Sequence, residues 1–315
     1  MFTKVLVTGG AGFIGSHLVD RLVRTKHEVS VVDNLFTGKI GNLQSHIESG
    51  KINFLRGDVR DENFVQDSVR GVDAIIHLAA IASVPFSVEK PVLTNEVNVN
   101  GTVNLLRAAV KNDVKKFLLI SSCAVYGDPK YLPVDEKHPL QPLSPYAASK
   151  VAAEYYCKAF TRTYGLKTVI LRLFNVYGSR QRGENSYSGV ITVFIKNLIR
   201  GKPLTVYGDG EQTRDFIHVK DVSEAALLAL EHEKINNEIF NVGSGRETSV
   251  NRLAELLIKI YGEKVKVVYE KPRRGDIKRS YADIRKIRKV LGFKPKTSLE
   301  SGLEELFLEI KGEVT

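Results

Sequence analysis

Tyr146 and Lys150 stand four positions apart in the run Ser144-Pro145-Tyr146-Ala147-Ala148-Ser149-Lys150. On a helix that spacing projects both from one face, one turn from each other. A phenol beside a fixed ammonium is expected to ionise towards neutral pH, which suits it to take a proton from an alcohol and return it. The same spacing recurs by chance on solvated helix faces, so the pair needs a partner for the phenol and a hydride acceptor. Ser122, after the apolar run 116–121, is a candidate partner that would relay the proton to a substrate hydroxyl. Hydroxyls at strand ends are also common local caps. Neighbouring Cys123 lacks the His/Asn arrangement of a thiol nucleophile and reads as a packing residue.

The hydride acceptor is indicated at the start of the chain. The short apolar run Lys4-Val5-Leu6-Val7-Thr8 breaks into Gly9-Gly10-Ala11-Gly12-Phe13-Ile14-Gly15, and helical spacing follows through Leu18, Leu22 and Val23. Strand, glycine turn and helix form the phosphate-binding opening of a dinucleotide site, here spaced G-x-x-G-x-x-G. Gly9 permits the turn, Gly12 lets a pyrophosphate approach the backbone, and Gly15 lets the helix pack on the strand. The helix start adds free N–H groups and a positive dipole end. A second strand over 28–32 ends at Asp33, where an acid bonding the adenosine ribose belongs. A carboxylate there repels a 2′-phosphate and no arginine follows directly, which favours NAD over NADP.

Strand and helix patterns then alternate. Ile52 to Arg56 leads to Gly57-Asp58-Val59, and Ala74-Ile75-Ile76-His77 leads to Leu78-Ala79-Ala80. A helix over 91–112 precedes the Ser122 strand, and the Tyr146 helix precedes a strand over 168–174. The expectation is an α/β protein, a doubly wound parallel sheet covered by helices on both faces. A smaller C-terminal α/β substrate domain follows from a helix over 190–200, a strand over 204–206 and helices beginning near Asp283 and Thr297. Thr297 and Glu300 have capping-box spacing, and Gly292 can end the earlier helix. The expected division is 1–175 plus 215–242 for the cofactor domain and 176–214 plus 243–315 for the substrate domain.

The 315 residues are 43% hydrophobic and 26% charged, ordinary for a globular protein. No apolar run approaches the roughly 20 residues of a membrane span. Only Cys123 and Cys157 are present, too few for a disulfide framework or a cysteine metal cluster. With no signal peptide ahead of the first strand, the reading is a cytoplasmic protein with no metal and no membrane partner. The net charge of +10 first suggests nucleic acid, but 264–296 alone holds thirteen basic residues against three acidic ones, leaving the rest neutral. A local patch of that kind suits an anionic ligand or a solvated face at least as well as a polynucleotide, and no nucleic-acid motif accompanies it.

With these residues in hand, the whole chain resembles the extended short-chain dehydrogenase/reductase family, and within it the UDP-hexose 4-epimerases. The resemblance is carried by Gly9/Gly12/Gly15, Asp33-Asn34, Gly57-Asp58-Val59, His77-Leu78-Ala79-Ala80 and Asn98-Val99-Asn100-Gly101-Thr102. It continues through Ser121-Ser122, Tyr146/Lys150, Arg172-Leu173-Phe174-Asn175-Val176-Tyr177-Gly178, Arg214-Asp215-Phe216-Ile217-His218-Val219 and Arg273-Arg274-Gly275-Asp276. It implies a Rossmann domain that binds NAD. Gly9, Gly12, Phe13, Ile14 and Gly15 would lie along its phosphates, with Asp33, Asn34, Asp58 and Val59 at the adenosine end. Lys150 would bond the nicotinamide ribose with Asn98 close to the same end, and Leu78, Ala79, Ala80, Ser121 and Tyr146 would also contact the cofactor. Ser83, Ser122, Tyr146, Asn175, Arg214, Arg273, Asp276 and Ser280 match positions around a UDP-sugar. Arg214 and Arg273 suit a diphosphate because a guanidinium forks onto phosphate oxygens, although Arg274 is an equal candidate beside Arg273. The resemblance also implies a homodimer joined by helices, one of them carrying Tyr146.

Two departures bear on the reaction. Sugar-nucleotide dehydratases and decarboxylases of this family resemble one another in a glutamate at the position of Ala124, and dTDP-glucose dehydratases have an aspartate at that of Cys123. Both carboxylates are missing here, which leaves reversible hydride transfer with a Tyr/Ser proton path. Epimerases restricted to plain hexoses tend to carry a tyrosine where Ser280 stands, and Ala82-Ser83-Val84-Pro85 looks like the group that tolerates N-acetylhexosamines. The expectation is 4-epimerisation of UDP-glucose/UDP-galactose and of UDP-GlcNAc/UDP-GalNAc, provided Tyr281 does not fill the space. A UDP-glucuronate epimerase or another nucleotide-sugar oxidoreductase is the alternative of the same fold. A non-enzymatic NAD sensor or RNA binder fits poorly with retention of both Tyr146 and Lys150.

Overall fold

The computed structural model describes residues 3–181, 189–272 and 276–314. Seven strands form one parallel sheet: β1 (Lys4–Thr8), β2 (Glu28–Asp33), β3 (Ile52–Arg56), β4 (Ala74–His77), β5 (Lys116–Ser122), β6 (Thr168–Leu173) and Glu238–Val242. Their spatial order is Glu238–Val242, β6, β5, β4, β1, β2, β3, every neighbouring pair being parallel. The chain runs outward from β1 to β3, then returns to β4 and continues the other way. The loops after β1 and β4 therefore diverge and open a crevice at the carboxyl ends of the strands. Near-continuous Val, Ile and Leu in β1, β4 and β5 follow from burial of both sheet faces. One face packs against helix α1 (Phe13–Arg24) and helix Val219–Glu231; the other packs against helices Gly101–Lys111 and Pro145–Tyr164.

A third apolar cluster belongs to the smaller unit, built on helices Val190–Ile199, Val250–Tyr261 and Leu299–Val314 and strand Leu204–Tyr207. The sheet core also recruits Ala282, Ile284, Ile287, Leu291 and Phe293. By side-chain packing, residues 282–293 thus sit with the sheet, unlike the expected grouping of 243–315 as one substrate unit. Gly292 ends helix Arg285–Leu291 in the left-handed conformation, as expected. The last helix starts one residue later than the capping-box spacing indicated. Ser298 Oγ accepts from Ser301 N at 3.1 Å, while Thr297 N donates to Asp221. Among the described residues no helix is long and apolar enough to cross a membrane.

The helix expected over 91–112 is interrupted. It runs Pro91–Asn95, passes through a π-helical turn at Glu96–Asn100, and resumes at Gly101–Lys111. Such turns shift the register of the face that follows and concentrate at functional sites.

Candidate active site

The crevice is a cleft of about 520 Å³ running from the glycine turn to Tyr146. At its cofactor end Gly9 has φ 72°, and a β-carbon there would lie 2.7 Å from Ala79 N, so at the floor of the crevice, before the loops diverge, the chain after β1 passes the chain after β4 with no room for a side chain. Gly12 is the N-cap of α1 and offers no side chain to its first N–H groups, which are left for a ligand. Asp33 is buried at the end of β2, and its carboxylate accepts from Ala11 N (3.0 Å) and Leu35 N (2.8 Å). Burial raises its pKa, opposed by those two bonds.

Asn34 Nδ2 donates to Asp58 at 2.9 Å, and Arg60 forks onto the same carboxylate through Nε (3.0 Å) and Nη2 (2.9 Å). The Arg60 hydrogen bonds bring Asp58 down to about 2. Arg60 also reaches Glu96 at 3.5 Å, so its charge is engaged by carboxylates rather than free for a 2′-phosphate. The donor set fits NAD: a glycine turn, a helix start and a buried acid at the ribose position. Phe13, Ile14, Val59, Leu78, Ala79 and Ala80 line the same cleft, as the sequence led one to expect. Phe36, Thr37, Arg60, Val97 and Gln181 line it as well and were missed. Their nearest sequence signal is Gly38, where a β-carbon would lie 2.9 Å from Asp33 Oδ1, so the segment after β2 has to run close against that acid.

At the other end the residue types around Tyr146 explain its placement. Ser144 caps the helix by accepting from Ala147 N (3.1 Å), Pro145 occupies the first turn, and Gly165 closes the helix in the left-handed conformation. Tyr146 N donates to Ser87 Oγ at 3.1 Å, fixing the helix start against helix Val84–Glu89. Tyr146, Lys150 and Ser122 line the cleft together as expected, with the Ser122 hydroxyl near enough to the phenol to favour its ionised form while it accepts from Ala124 N at 3.2 Å.

The expected acidification of Tyr146 by Lys150 is not present in the protein alone. Burial pushes the phenol up to about 12, with only the Ser122 hydroxyl opposing it. Lys150 is buried too, brought down to about 8, and its Nζ donates to the Ile120 carbonyl at 2.8 Å. Burial, which sequence spacing does not carry, outweighs proximity. Cys123 is also raised to about 12 by burial and stays a thiol, in keeping with a packing role.

Several expected contacts are engaged within the protein. The Asn98 amide accepts from Ile81 N (2.7 Å) and donates to Ile81 O (3.1 Å) and Ser149 Oγ (2.9 Å). It is a positioning residue that ties the loop after β4 to the Tyr146 helix. Ser121 borders the cleft, but its hydroxyl donates to Glu154. Ser83 does not line this cleft; its hydroxyl caps helix Val84–Glu89 through Phe86 N at 3.3 Å.

Of the residues expected around a UDP-sugar, Arg214 forms an ion pair with Asp276, and its Nη1 donates to Ile277 O at 2.6 Å and Thr213 O at 2.8 Å. Asp215 beneath it accepts from Ser244 N, Ser244 Oγ, Gly245 N and Ala282 N, which anchors the segment. Asn175 follows Phe174, a cleft residue, and pairs with Phe216. Ser280 is buried beside the Arg279–Thr213 bridge, and neither Ser280 nor Tyr281 lines the cofactor cleft. Arg273 and Arg274 lie outside the described residues.

Residues 5–243 match the model of the NAD dependent epimerase/dehydratase family. The chain belongs to that family. It is 44% identical over 306 residues to a putative UDP-glucose 4-epimerase of Methanocaldococcus jannaschii, covering 96% of each chain. The crystal structure of UDP-glucose 4-epimerase with UDP-glucose from Thermotoga maritima is similar, with TM-score 0.93, 40% identity and 99% of each chain covered. So is UDP-N-acetylglucosamine 4-epimerase from Methanobrevibacter ruminantium in complex with UDP-N-acetylmuramic acid, with TM-score 0.94 and 39% identity over 99% of this chain and 100% of that one. The protein is thus an NAD-dependent enzyme of the epimerase/dehydratase family, similar to UDP-glucose 4-epimerases and built on the expected Rossmann sheet.

Proposed function

We propose that the protein interconverts UDP-hexoses epimeric at C4, UDP-glucose with UDP-galactose and UDP-GlcNAc with UDP-GalNAc, through a 4-keto sugar. The observation that carries this reading is that Tyr146, Lys150 and Ser122 line one cleft, with Cys123 and Ala124, not carboxylates, following Ser122. Elimination of water needs a further acid/base pair, whereas epimerisation needs one group that gives back the proton it takes. Bound NAD supplies the hydride acceptor and donor. Tyr146 takes the 4-hydroxyl proton, with Ser122 bridging phenol and hydroxyl, and returns it after the keto sugar has presented its other face. Lys150 holds a positive charge one turn below. Arg214 and Asn175 would bind the nucleotide diphosphate and sugar, together with Arg273 or Arg274 and Asp276. The two free cysteines fit a reducing cytoplasm.

The test is to give the holoenzyme UDP-glucose and UDP-GlcNAc separately and resolve the products by chromatography. Both C4 epimers are expected without added reductant; products lacking water or carbon dioxide would overturn the reading. Tolerance of the acetamido group rests on the small Ser280. Ser280→Tyr is expected to cut kcat/KM for UDP-GlcNAc by about tenfold or more and that for UDP-glucose by less than about threefold. Equal losses would refute that role.

We also infer a homodimer. Val88 and Val92 are 62% and 71% exposed beside the Tyr146 helix, on which Tyr155 and Tyr156 are 57% and 43% exposed. Apolar side chains standing out on helices that pack together fit a self-complementary face. Sedimentation should give a dimer that Val92→Asp with Tyr155→Asp converts to monomers; a monomeric wild type would refute it.

A further inference from the structure

Three consecutive residues at the end of β5 are tied to three successive turns of helix Pro145–Tyr164. Ser122 meets Tyr146, the Ile120 carbonyl accepts from Lys150, and the Ser121 hydroxyl donates to Glu154 Oε1 at 2.6 Å. Tyr146, Lys150 and Glu154 share one helix face at four-residue spacing. The first two rungs are the proton-transfer pair. The third is a carboxylate with 0% exposure, held by Arg172 of β6 through Nη2 (2.6 Å) and Nε (2.9 Å). Arg172 Nη1 donates to Tyr126 OH at 3.0 Å, and that hydroxyl donates to Asn241 Oδ1 at 2.6 Å. The network thus joins β5, the helix, β6 and strand Glu238–Val242. A buried ion pair is weak evidence for stability, because well-packed apolar residues often do as well or better in its place. Its position under the catalytic pair calls for another reason.

We propose that Glu154 and Arg172 position the proton-transfer machinery. By fixing the Ser121 hydroxyl they set the backbone at the strand end, so that Ser122 faces the phenol. They also hold a carboxylate one turn beneath the Lys150 ammonium, keeping that side chain protonated where burial would strip it. This rests on the reading of Tyr146 and Ser122 as the proton path. The groups that act on Lys150 are Glu154 and Cys157 on its own helix, with His77 facing it from β4 and Ile120 O from β5. His77 is neutral, brought down to about 3 by burial, and Arg172 is spent on Glu154.

The test uses NAD-loaded enzyme. Glu154→Gln keeps the volume and the acceptor for Ser121 but removes the charge. It should lower kcat by about tenfold or more with KM within about threefold. The alkaline limb of the rate profile should move to lower pH by about half a unit or more, because Lys150 without its anion loses its proton sooner. Ser121→Ala, which leaves no unpaired charge, should lower kcat by about threefold or more with no change in melting temperature. Glu154→Leu with Arg172→Met should melt near wild type yet keep the low kcat. Recovery of kcat in that double variant, or wild-type kcat in Ser121→Ala with an unmoved limb in Glu154→Gln, would overturn the proposal. If Tyr146→Phe also retained its rate, the underlying proton path would be at fault; if Tyr146→Phe lost it while these variants did not, only the positioning role would fall.

Discussion

Tyr146→Phe is expected to lower kcat by about a thousandfold, near 4 kcal/mol of transition-state stabilisation, while KM stays within about threefold. The substitution removes one oxygen, the one that faces Ser122 in the cleft, and leaves a ring that still fills its buried site. Helix start, cofactor cleft and Lys150–Ile120 bond do not depend on that oxygen. A variant near wild-type turnover with both UDP-sugars would remove the assigned base. The phenol also gives a direct reading. With its pKa at about 12 in the protein alone, it is protonated throughout the neutral range. A base must be deprotonated, and the positive charge of an oxidised nicotinamide beside the phenol would lower this pKa. Difference titration of wild type against Tyr146→Phe should show a strongly alkaline phenol without NAD and a lower one with it. A phenol already titrating near neutrality without NAD would contradict the dominance of burial.

Gly15→Ala is expected to weaken NAD binding by about a hundredfold, about 2.7 kcal/mol. A β-carbon at Gly15 would lie 2.2 Å from the Gly9 carbonyl oxygen and 2.8 Å from Gly10 Cα. Both are backbone atoms of the phosphate-binding turn, so the turn and α1 must separate, and the first-turn N–H groups leave their places. Overpacking of this kind costs about 1–3 kcal/mol of stability as well. Gly41→Ala is the matched control, since a β-carbon there meets nothing within 4 Å. Calorimetric titration with NAD and thermal melts should separate the two variants. Equal NAD affinity in both would mean that the close approach at Gly15 is dispensable.

Much of the site was legible because its signals are local. The glycine turn, Asp33 at the end of β2, and Ser144-Pro145 ahead of Tyr146 are short patterns whose backbone consequences follow within a few residues. Interactions between distant segments were less legible. The pairing of Arg214 with Asp276 joins segments far apart in the chain, and the raised Tyr146 pKa depends on residues of several elements that bury it. The π-helical turn at Glu96–Asn100 has no compositional mark, since Glu-Val-Asn-Val-Asn suits an α-helix about as well. Packing of 282–293 on the sheet is likewise a choice between two apolar surfaces, and periodicity does not distinguish them.

Asn98 has a mechanical consequence. One amide group spans the loop after β4, through both polar atoms of Ile81, and the Tyr146 helix, through Ser149. The segment after β4 that lines the cleft and the helix that carries the phenol are therefore joined through one planar amide. A shift of either segment has to strain these three hydrogen bonds, so the spacing between the two sides of the cleft is tied to the geometry of one side chain.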